Sequence, residues 1–189
     1  MNMPLLPTTA ILCPRGRIPL QVYEPRYLDL VSRCLKADSA FAIVMAKSDE
    51  VEGSFYRIGT VAKVVDFAAM MTDGILTITA EGISQVSISN VRRCEDGIWA
   101  ADVQEQGEEQ YIDLPEEFDE LKAVLKALVK HPFVKDLNMD IDYQDSRQIG
   151  WRLTELLPFE GCQKQNLYEM TDAISRLETI SKQLSDMVD

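Results

Sequence analysis

Residues 18–27, Ile18-Pro19-Leu20-Gln21-Val22-Tyr23-Glu24-Pro25-Arg26-Tyr27, contain the change of pattern that decides the fold. The segment Arg17–Val22 is short and largely apolar, as β-strands are. Pro25 suits the first turn of a helix, because the N–H that it lacks would have no helical partner there. Apolar residues then recur at helical spacing: Tyr27, Leu28, Val31 and Leu35. The stretch therefore predicts a strand followed at once by a helix over about residues 25–37.

Strand patterns dominate the first hundred residues. Apolar or alternating segments occur at Ala40–Ala46, Arg57–Phe67 and Gly74–Glu81, in a strand with Val86 and Ile88, and in a last strand with Trp99, Ala101 and Val103. Asp73-Gly74 and Asp96-Gly97 predict tight hairpins, because Asp-Gly supplies the positive φ angles of such turns. Gly82 predicts a bend or bulge between two strands. We expect a meander of about six strands, closed as a small barrel.

The second half has helical periodicity. One amphipathic helix is predicted from Pro115 until His131-Pro132, where the proline stops it. Asp145 and Gln148 form a capping signal for a helix that ends at Pro158. A last helix is predicted from about Cys162, on the apolar positions Leu167, Met170, Ile174, Leu177, Leu184 and Val188. The fold class is thus α+β, with a β-barrel lobe over residues 1–110 and a lobe of three to four helices over residues 111–189.

Composition and charge limit the partners. The formal net charge is −12, and residues 101–189 hold 20 acidic but only 9 basic side chains. Nucleic-acid backbones and anionic membranes attract the opposite sign. The acidic half favours solubility, or attraction to basic segments of a partner. No apolar run approaches the length of a membrane span and no signal peptide is visible, so we expect a soluble, cytoplasmic protein.

The sequence lacks the usual patterns of catalytic and metal sites. The four cysteines are widely spaced and His131 is the sole histidine. This spacing predicts reduced thiols and no metal or other cofactor. The chain contains neither a G-x-x-x-x-G-K-[ST] phosphate loop nor a G-x-S-x-G elbow. We therefore expect that the chain is not an enzyme, with a small hydrolase of unrecognised site as the weaker alternative.

Four motifs in order resemble the N-terminal domain of the Lon ATP-dependent protease family. They are Met3–Tyr27, Ile58-Gly59-Thr60-Val61-Ala62, Asp73-Gly74 with Glu81-Gly82, and Trp151–Pro158. The resemblance implies a PUA-like β-barrel followed by a helical lobe, and a role in substrate recognition and assembly. It implies binding rather than proteolysis, because the family's ATPase and Ser–Lys peptidase domains lie downstream. Gln85 departs from the family pattern, which often has an arginine shortly after Glu-Gly.

Two places are candidates for partner binding. Phe67, Met70 and Met71 lie close to the predicted Asp73-Gly74 turn, where polar residues are usual. Methionine adapts to varied apolar segments, so we expect a peptide-binding patch, unless this hairpin folds back on the helical lobe. Trp151 lies opposite the apolar stripe of its helix, and therefore packs on the other lobe or meets a partner.

The motif residues Glu24, Pro25, Arg26, Tyr27, Gly59 and Gly82 are interpreted as structural. The chain as a whole is predicted to be a non-catalytic module, a monomer or weak homodimer, that binds unfolded or peptide-like protein segments. It would act as an adaptor or recognition factor in ATP-dependent proteolysis or quality control, with a protease or chaperone as a further partner. The alternative is a PUA-like protein that binds a small molecule or RNA, of which the charge disfavours RNA.

Overall fold

The computed structural model describes residues 1–47, 52–68 and 75–188. The chain divides into two compact units, Met1–Gly107 and Glu108–Asp189. Strands occupy the first unit together with one long helix, and helices occupy the second. The predicted α+β class, with strands first and helices after them, is confirmed. No helix in the described part of the chain has both the length and the apolar character to span a bilayer.

The described residues of the first unit form six strands and helix α1. Their bounds are β1 Asn2–Thr8, β2 Arg17–Val22, α1 Pro25–Ala37, β3 Phe41–Met45, β4 Ile58–Ala68, β5 Leu76–Arg93 and β6 Trp99–Glu105. Five of the strands form a closed ring, β1-β3-β4-β5-β6, in which β6 pairs again with β1. Only the β1–β3 pair is parallel. β2 lies outside the ring and pairs with β5 alone.

The meander predicted from the sequence is therefore wrong in its order. α1 carries the chain from β2 to β3, which pairs with β1 and β4 instead of β2. Strand patterns give the positions of strands but not their partners, and parallel pairing of β1 and β3 requires such a crossover.

Two apolar clusters stabilise this unit. One takes residues from all five ring strands, namely Met3, Leu5, Ala42, Val44, Val61, Val86, Ile88, Ala101 and Val103. The other joins side chains of α1 to those of the β-sheet, including Phe41, Ile43, Ile78 and Ala80. Successive residues of β3 belong to different clusters because side chains alternate across a strand. All five residues of β3 are therefore buried.

β5 runs without interruption through Gly82, where two strands were predicted. The predicted bulge does occur, since the pairing register with β4 shifts between Val61 and Ala62, opposite Ser84 and Gly82. A Cβ atom at Gly82 would lie 2.3 Å from the carbonyl oxygen of Cys13. Glycine is needed here because another backbone segment passes at contact distance.

The Asp96-Gly97 turn forms the predicted hairpin between β5 and β6. Gly97 has φ +78°, and its N–H donates to the carbonyl of Cys94 at 2.9 Å. The N–H of Cys94 in turn donates to the carbonyl of Ile98 at 2.8 Å. The other predicted turn, Asp73-Gly74, lies outside the described residues.

The second unit contains five α-helices and a short 3-10 turn, Glu116–Phe118. The helices are α2 Asp119–Val129, α3 Pro132–Lys135, α4 Ser146–Leu156, α5 Gly161–Glu169 and α6 Ala173–Val188. Their apolar faces form one cluster around Leu125, Ile149, Leu153, Leu167 and Leu177. Asp145 caps α4 as predicted, with its Oδ1 accepting from the N–H of Arg147 at 3.0 Å.

The single last helix predicted from about Cys162 is wrong, because α5 and α6 are separate. Met170 has an extended backbone, with φ −66° and ψ 131°. Asp172 then starts α6 by accepting the N–H of Ser175 at 2.7 Å. The break keeps the apolar residues of both helices on the same core, so their spacing alone did not reveal it.

Candidate functional site

A groove of about 550 Å³ opens on the first unit where the strands leave a gap. β1 pairs with β6 only over Asn2–Leu5, so its last residues extend beyond β6. β2 has no strand partner on the side away from β5 among the described residues. The groove lies at these two strand segments and is completed by the start of α1 and by Ala46. Its volume is within the range of ligand-binding pockets.

The wall of the groove is mainly apolar. Leu6 and Val22 are buried, whereas Ile18 and Leu20 are half-buried and pack on the α1 cluster. Tyr23 stands at the end of β2 and is 66% exposed. Exposed aromatic side chains beside an apolar cleft are typical of protein-binding surfaces.

Tyr27 lines the groove from the first turn of α1. Its side chain is 8% exposed, and its hydroxyl makes no hydrogen bond to any residue that the structure describes. Burial raises the pKa of the hydroxyl, while the nearby Arg26 opposes that shift. A tyrosine hydroxyl is protonated at neutral pH and can donate a hydrogen bond to a ligand.

The pairing of β2 with β5 identifies which residues direct their backbone groups to the free edge of β2. The N–H and C=O of Gly82 both face the chain preceding β2, through bonds with Gly16 and Arg15 of 3.0 and 2.8 Å. Because backbone direction alternates along a strand, Ala80 and Ile78 also face β2. Their register partners Ile18 and Leu20 are therefore bonded to β5, and Pro19 and Gln21 face the free edge. The position of Pro19 agrees, since proline has no N–H to offer to β5.

Glu24 lines the groove, and Arg26 pairs with it. Glu24 precedes α1, and its carboxylate is 2.6 Å from Nη2 of Arg26. Nη1 of Arg26 also donates to the carbonyl of Gly97 at 2.9 Å. Arg26 thus ties the start of α1 to the β5–β6 turn, and Pro25 occupies the first helical turn. These two side chains hold the strand-to-helix corner that shapes the groove.

Of the predicted partner-binding patch, only Phe67 lies in the described part of the chain. It is on β4 and is 59% exposed. Its N–H donates to the carboxylate of Asp66 at 2.8 Å. Met70 and Met71 are outside the described residues.

Trp151 is half-buried in the second unit, where the guanidinium of Arg176 lies 5.7 Å from the centre of its ring. Arg176 is itself fully buried and forms a two-bond ion pair with Glu109, at 2.9 and 3.1 Å. Buried arginine pairs are held by such paired hydrogen bonds. Trp151 therefore covers an ion pair within its own unit, a role that the sequence pattern did not indicate.

The remaining motif residue, Gly59, allows close strand packing. A Cβ atom there would lie 2.6 Å from the carbonyl oxygen of Ile43 on β3. All four cysteines are free, with Cys13 and Cys34 buried and Cys94 and Cys162 exposed. No cluster of three His, Cys, Asp or Glu side chains suited to a metal was found in the described ranges.

Sequence reasoning missed the groove as a site. Its β1 side comes from Leu6, Pro7 and Thr8, which become adjacent to β2 only through the ring. One available signal was Tyr23, an aromatic residue at the boundary between a strand and a helix. Pro19 within a strand also indicated an edge strand.

Comparison with known proteins places the chain in a family. A family model for the ATP-dependent protease La (Lon) substrate-binding domain matches residues 2–186. The chain belongs to this family. The Lon N-terminal domain protein from Xanthomonas campestris has a similar structure, with a TM-score of 0.77 and 27% identity, over 96% of this chain and 98% of that one.

A second structure is the N-terminal domain of the Lon protease from the Mycobacterium avium complex. It has a TM-score of 0.64 at 17% identity, over 98% of this chain and 99% of that one, and therefore shows the Lon N-terminal fold alone. Protein cereblon from Danio rerio is 33% identical over 108 residues, which is 54% of this chain. The chain spans about a quarter of cereblon, since the matched part is 25% of that protein. The predicted resemblance to the Lon N-terminal domain is confirmed.

Proposed function

We propose that this chain is a non-catalytic recognition module that binds unfolded or extended protein segments for an ATP-dependent protease or chaperone. The observation that carries the proposal is the apolar groove beside the free edge of β2. Membership of a substrate-binding domain family supports the same role. The proposed place of action is the cytoplasm, where such clients arise.

The chemistry of the groove suits loose recognition. Apolar side chains contribute binding energy in proportion to the area that they bury, without demanding one ligand shape. Polar groups at the same place, such as the Tyr27 hydroxyl, then orient the bound chain. A groove of this kind selects for exposed apolar residues, which folded proteins hide and unfolded proteins present.

The ionisable groups of the groove support binding rather than chemistry. Glu24 is engaged by Arg26, and burial raises the pKa of Tyr27 further above its ordinary value. The lining contains no His, Cys, Ser or Lys side chain among the described residues. Acyl transfer needs a nucleophile within hydrogen-bond reach of a base. In this lining the hydroxyl of Thr8 donates to the carbonyl of Ala10, and the carboxylate of Glu24 is paired with Arg26.

Tyr23→Ser tests the proposal. Tyr23 is exposed at the groove, so its loss removes aromatic contact area without opening the core. We expect the dissociation constant for reduced, carboxymethylated α-lactalbumin to rise roughly tenfold, because aromatic residues are frequent hot spots. Fluorescence anisotropy of labelled lactalbumin measures the affinity.

Phe133→Ser is the matched control. Phe133 is 64% exposed but belongs to α3 of the second unit. We expect this variant to bind as the original chain does. Phe67→Ser reports on the separate patch predicted around Met70 and Met71. Equal losses in Tyr23→Ser and Phe133→Ser, or no binding of lactalbumin by the original chain, would contradict the proposed function.

A further inference from the structure

Resting on the proposed function, we propose how the groove holds its client: the segment binds in extended form as an added strand, antiparallel to β2. Its backbone pairs with Pro19 and Gln21, and alternate side chains enter the apolar groove. The occupant is a segment of about nine residues with a basic N-terminal end and an acidic C-terminal end. Addition to a sheet edge is a general mode of peptide recognition.

The register of β2 supplies the backbone partners. Ile18 and Leu20 are bonded to β5, which leaves Pro19 and Gln21 directed to the groove side. Pro19 offers a carbonyl alone, whereas Gln21 offers both a carbonyl and an N–H. An added strand can therefore donate to both residues but accept only from Gln21. β2 has six residues, so an extended partner along it covers about 20 Å.

The second half of β4 presents another free edge, and the contrast favours β2. β4 pairs with β3 only as far as Ala62 among the described residues. Beyond that point it carries Lys63, Asp66 and a register shift between Val64 and Asp66. Charges and bulges are the features by which natural edge strands resist pairing. β2 carries Pro19 and one charged residue, Arg17, which is paired with Glu81 of β5, and it borders an apolar groove.

For an antiparallel added strand, the charges beside β2 set which end charges suit it. Arg15 precedes β2, is exposed, and forms no ion pair with any residue that the structure describes. Glu24 follows β2, and its side chain remains 40% exposed despite Arg26. An antiparallel partner places its C-terminal end near Arg15 and its N-terminal end near Glu24. An acidic C-terminal end and a basic N-terminal end therefore match both ends of β2.

A synthetic peptide makes this testable. The probe is a fluorescein-labelled nonapeptide of alternating valine and threonine between an N-terminal lysine and a C-terminal glutamate. The control peptide exchanges that lysine and glutamate. We expect the exchanged peptide to bind at least threefold more weakly at low salt, and the difference to shrink at about 0.5 M salt. Equal affinities at low salt would overturn the orientation.

Gln21→Pro tests the backbone contact. The N–H of Gln21 faces away from β5, so proline removes an edge donor without removing a bond of the β2–β5 ladder. We expect binding of the nonapeptide to fall at least tenfold while the melting temperature stays within a few degrees. Gln21→Ala, which keeps the N–H, should bind as the original chain does. Equal binding by Gln21→Pro and Gln21→Ala would overturn strand addition.

N-methylated peptides keep the inference falsifiable if Gln21→Pro does not fold. One peptide is methylated on the backbone nitrogens of its odd-numbered residues, and the other on those of its even-numbered residues. We expect one of them to lose binding to the original chain and the other to keep it, because only one set of N–H groups faces β2. If both bind, or neither does while lactalbumin still binds, strand addition is wrong and the proposed function stands. If lactalbumin also fails to bind the original chain, the proposed function itself is wrong, and strand addition falls with it.

Discussion

At the scale of single residues, glycine positions decide how closely segments approach. Gly82 lies under the chain at Cys13, and its N–H and C=O are both bonded to the segment just before β2. This contact places the start of β2 and fixes which of its residues face the groove. The sequence predicted a special backbone at Gly82, but not the segment that lies on it.

Replacing Gly82 by alanine should destabilise the chain by about 3 kcal/mol. The added Cβ would stand 2.3 Å from a backbone oxygen, so either β5 or the loop at Cys13 must move. Urea unfolding followed by circular dichroism measures the change. Gly107→Ala is the control, because no heavy atom lies within 4 Å of its Cβ position. An equal effect at both positions would show that the close contact is not the cause.

At the scale of elements, α4 depends on a buried cap. Asp145 is 1% exposed and receives the N–H, Nε and Nη2 of Arg147. Burial raises the pKa of Asp145, but the hydrogen bonds and charge of Arg147 outweigh it, and the pKa lies below the usual value. The capping signal was visible in the sequence, whereas its burial and its pairing with Arg147 follow from packing.

Asp145→Ala should lower the stability by roughly 3 kcal/mol at neutral pH, since it removes a cap and leaves Arg147 without its carboxylate. A depressed pKa stabilises the folded state above the unfolded pKa and ceases to do so as the pH falls through the folded value. The difference in melting temperature from the original chain should therefore shrink as the pH falls through and below the ordinary titration range of aspartate.

Asp119→Ala is a control for that experiment, because the Asp119 side chain is 58% exposed and pairs with Lys122 at the surface. Its effect at neutral pH should be much smaller, as surface pairs contribute little. A difference between Asp145→Ala and the original chain that does not vary with pH would contradict a role for the ionised carboxylate.

At the scale of the whole molecule, charge separates the proposed function from its main alternative. The net charge of −12 opposes binding to RNA or DNA backbones. We expect the chain to pass through a phosphocellulose column at about 0.1 M salt without delay, where surface charges act over about 10 Å. Retention that is lost at higher salt would instead favour the nucleic-acid alternative.

The sequence by itself determined that strands come first and helices after them, although its strand patterns did not predict β1 and divided β5 in two, and its helical spacing joined α5 to α6. The alternation of side chains predicted β6, Pro25 predicted the start of α1, and Asp96-Gly97 predicted the hairpin between β5 and β6. Each of these features depends on residues that are neighbours in the chain. The four motifs also gave the family, which the comparison confirmed. The α5–α6 break was missed, since its residues keep the periodicity of one helix.

Tertiary structure alone decided the site. The groove combines Leu6 of β1 with Leu20 of β2 and Tyr27 of α1, and no local pattern links them. It exists because β6 closes the ring against only part of β1, while β2 pairs with β5 alone. Strand pairing is set by packing between residues far apart in the chain. Pro19 is typical of an edge strand, but the apolar groove beside that edge forms only in the folded chain.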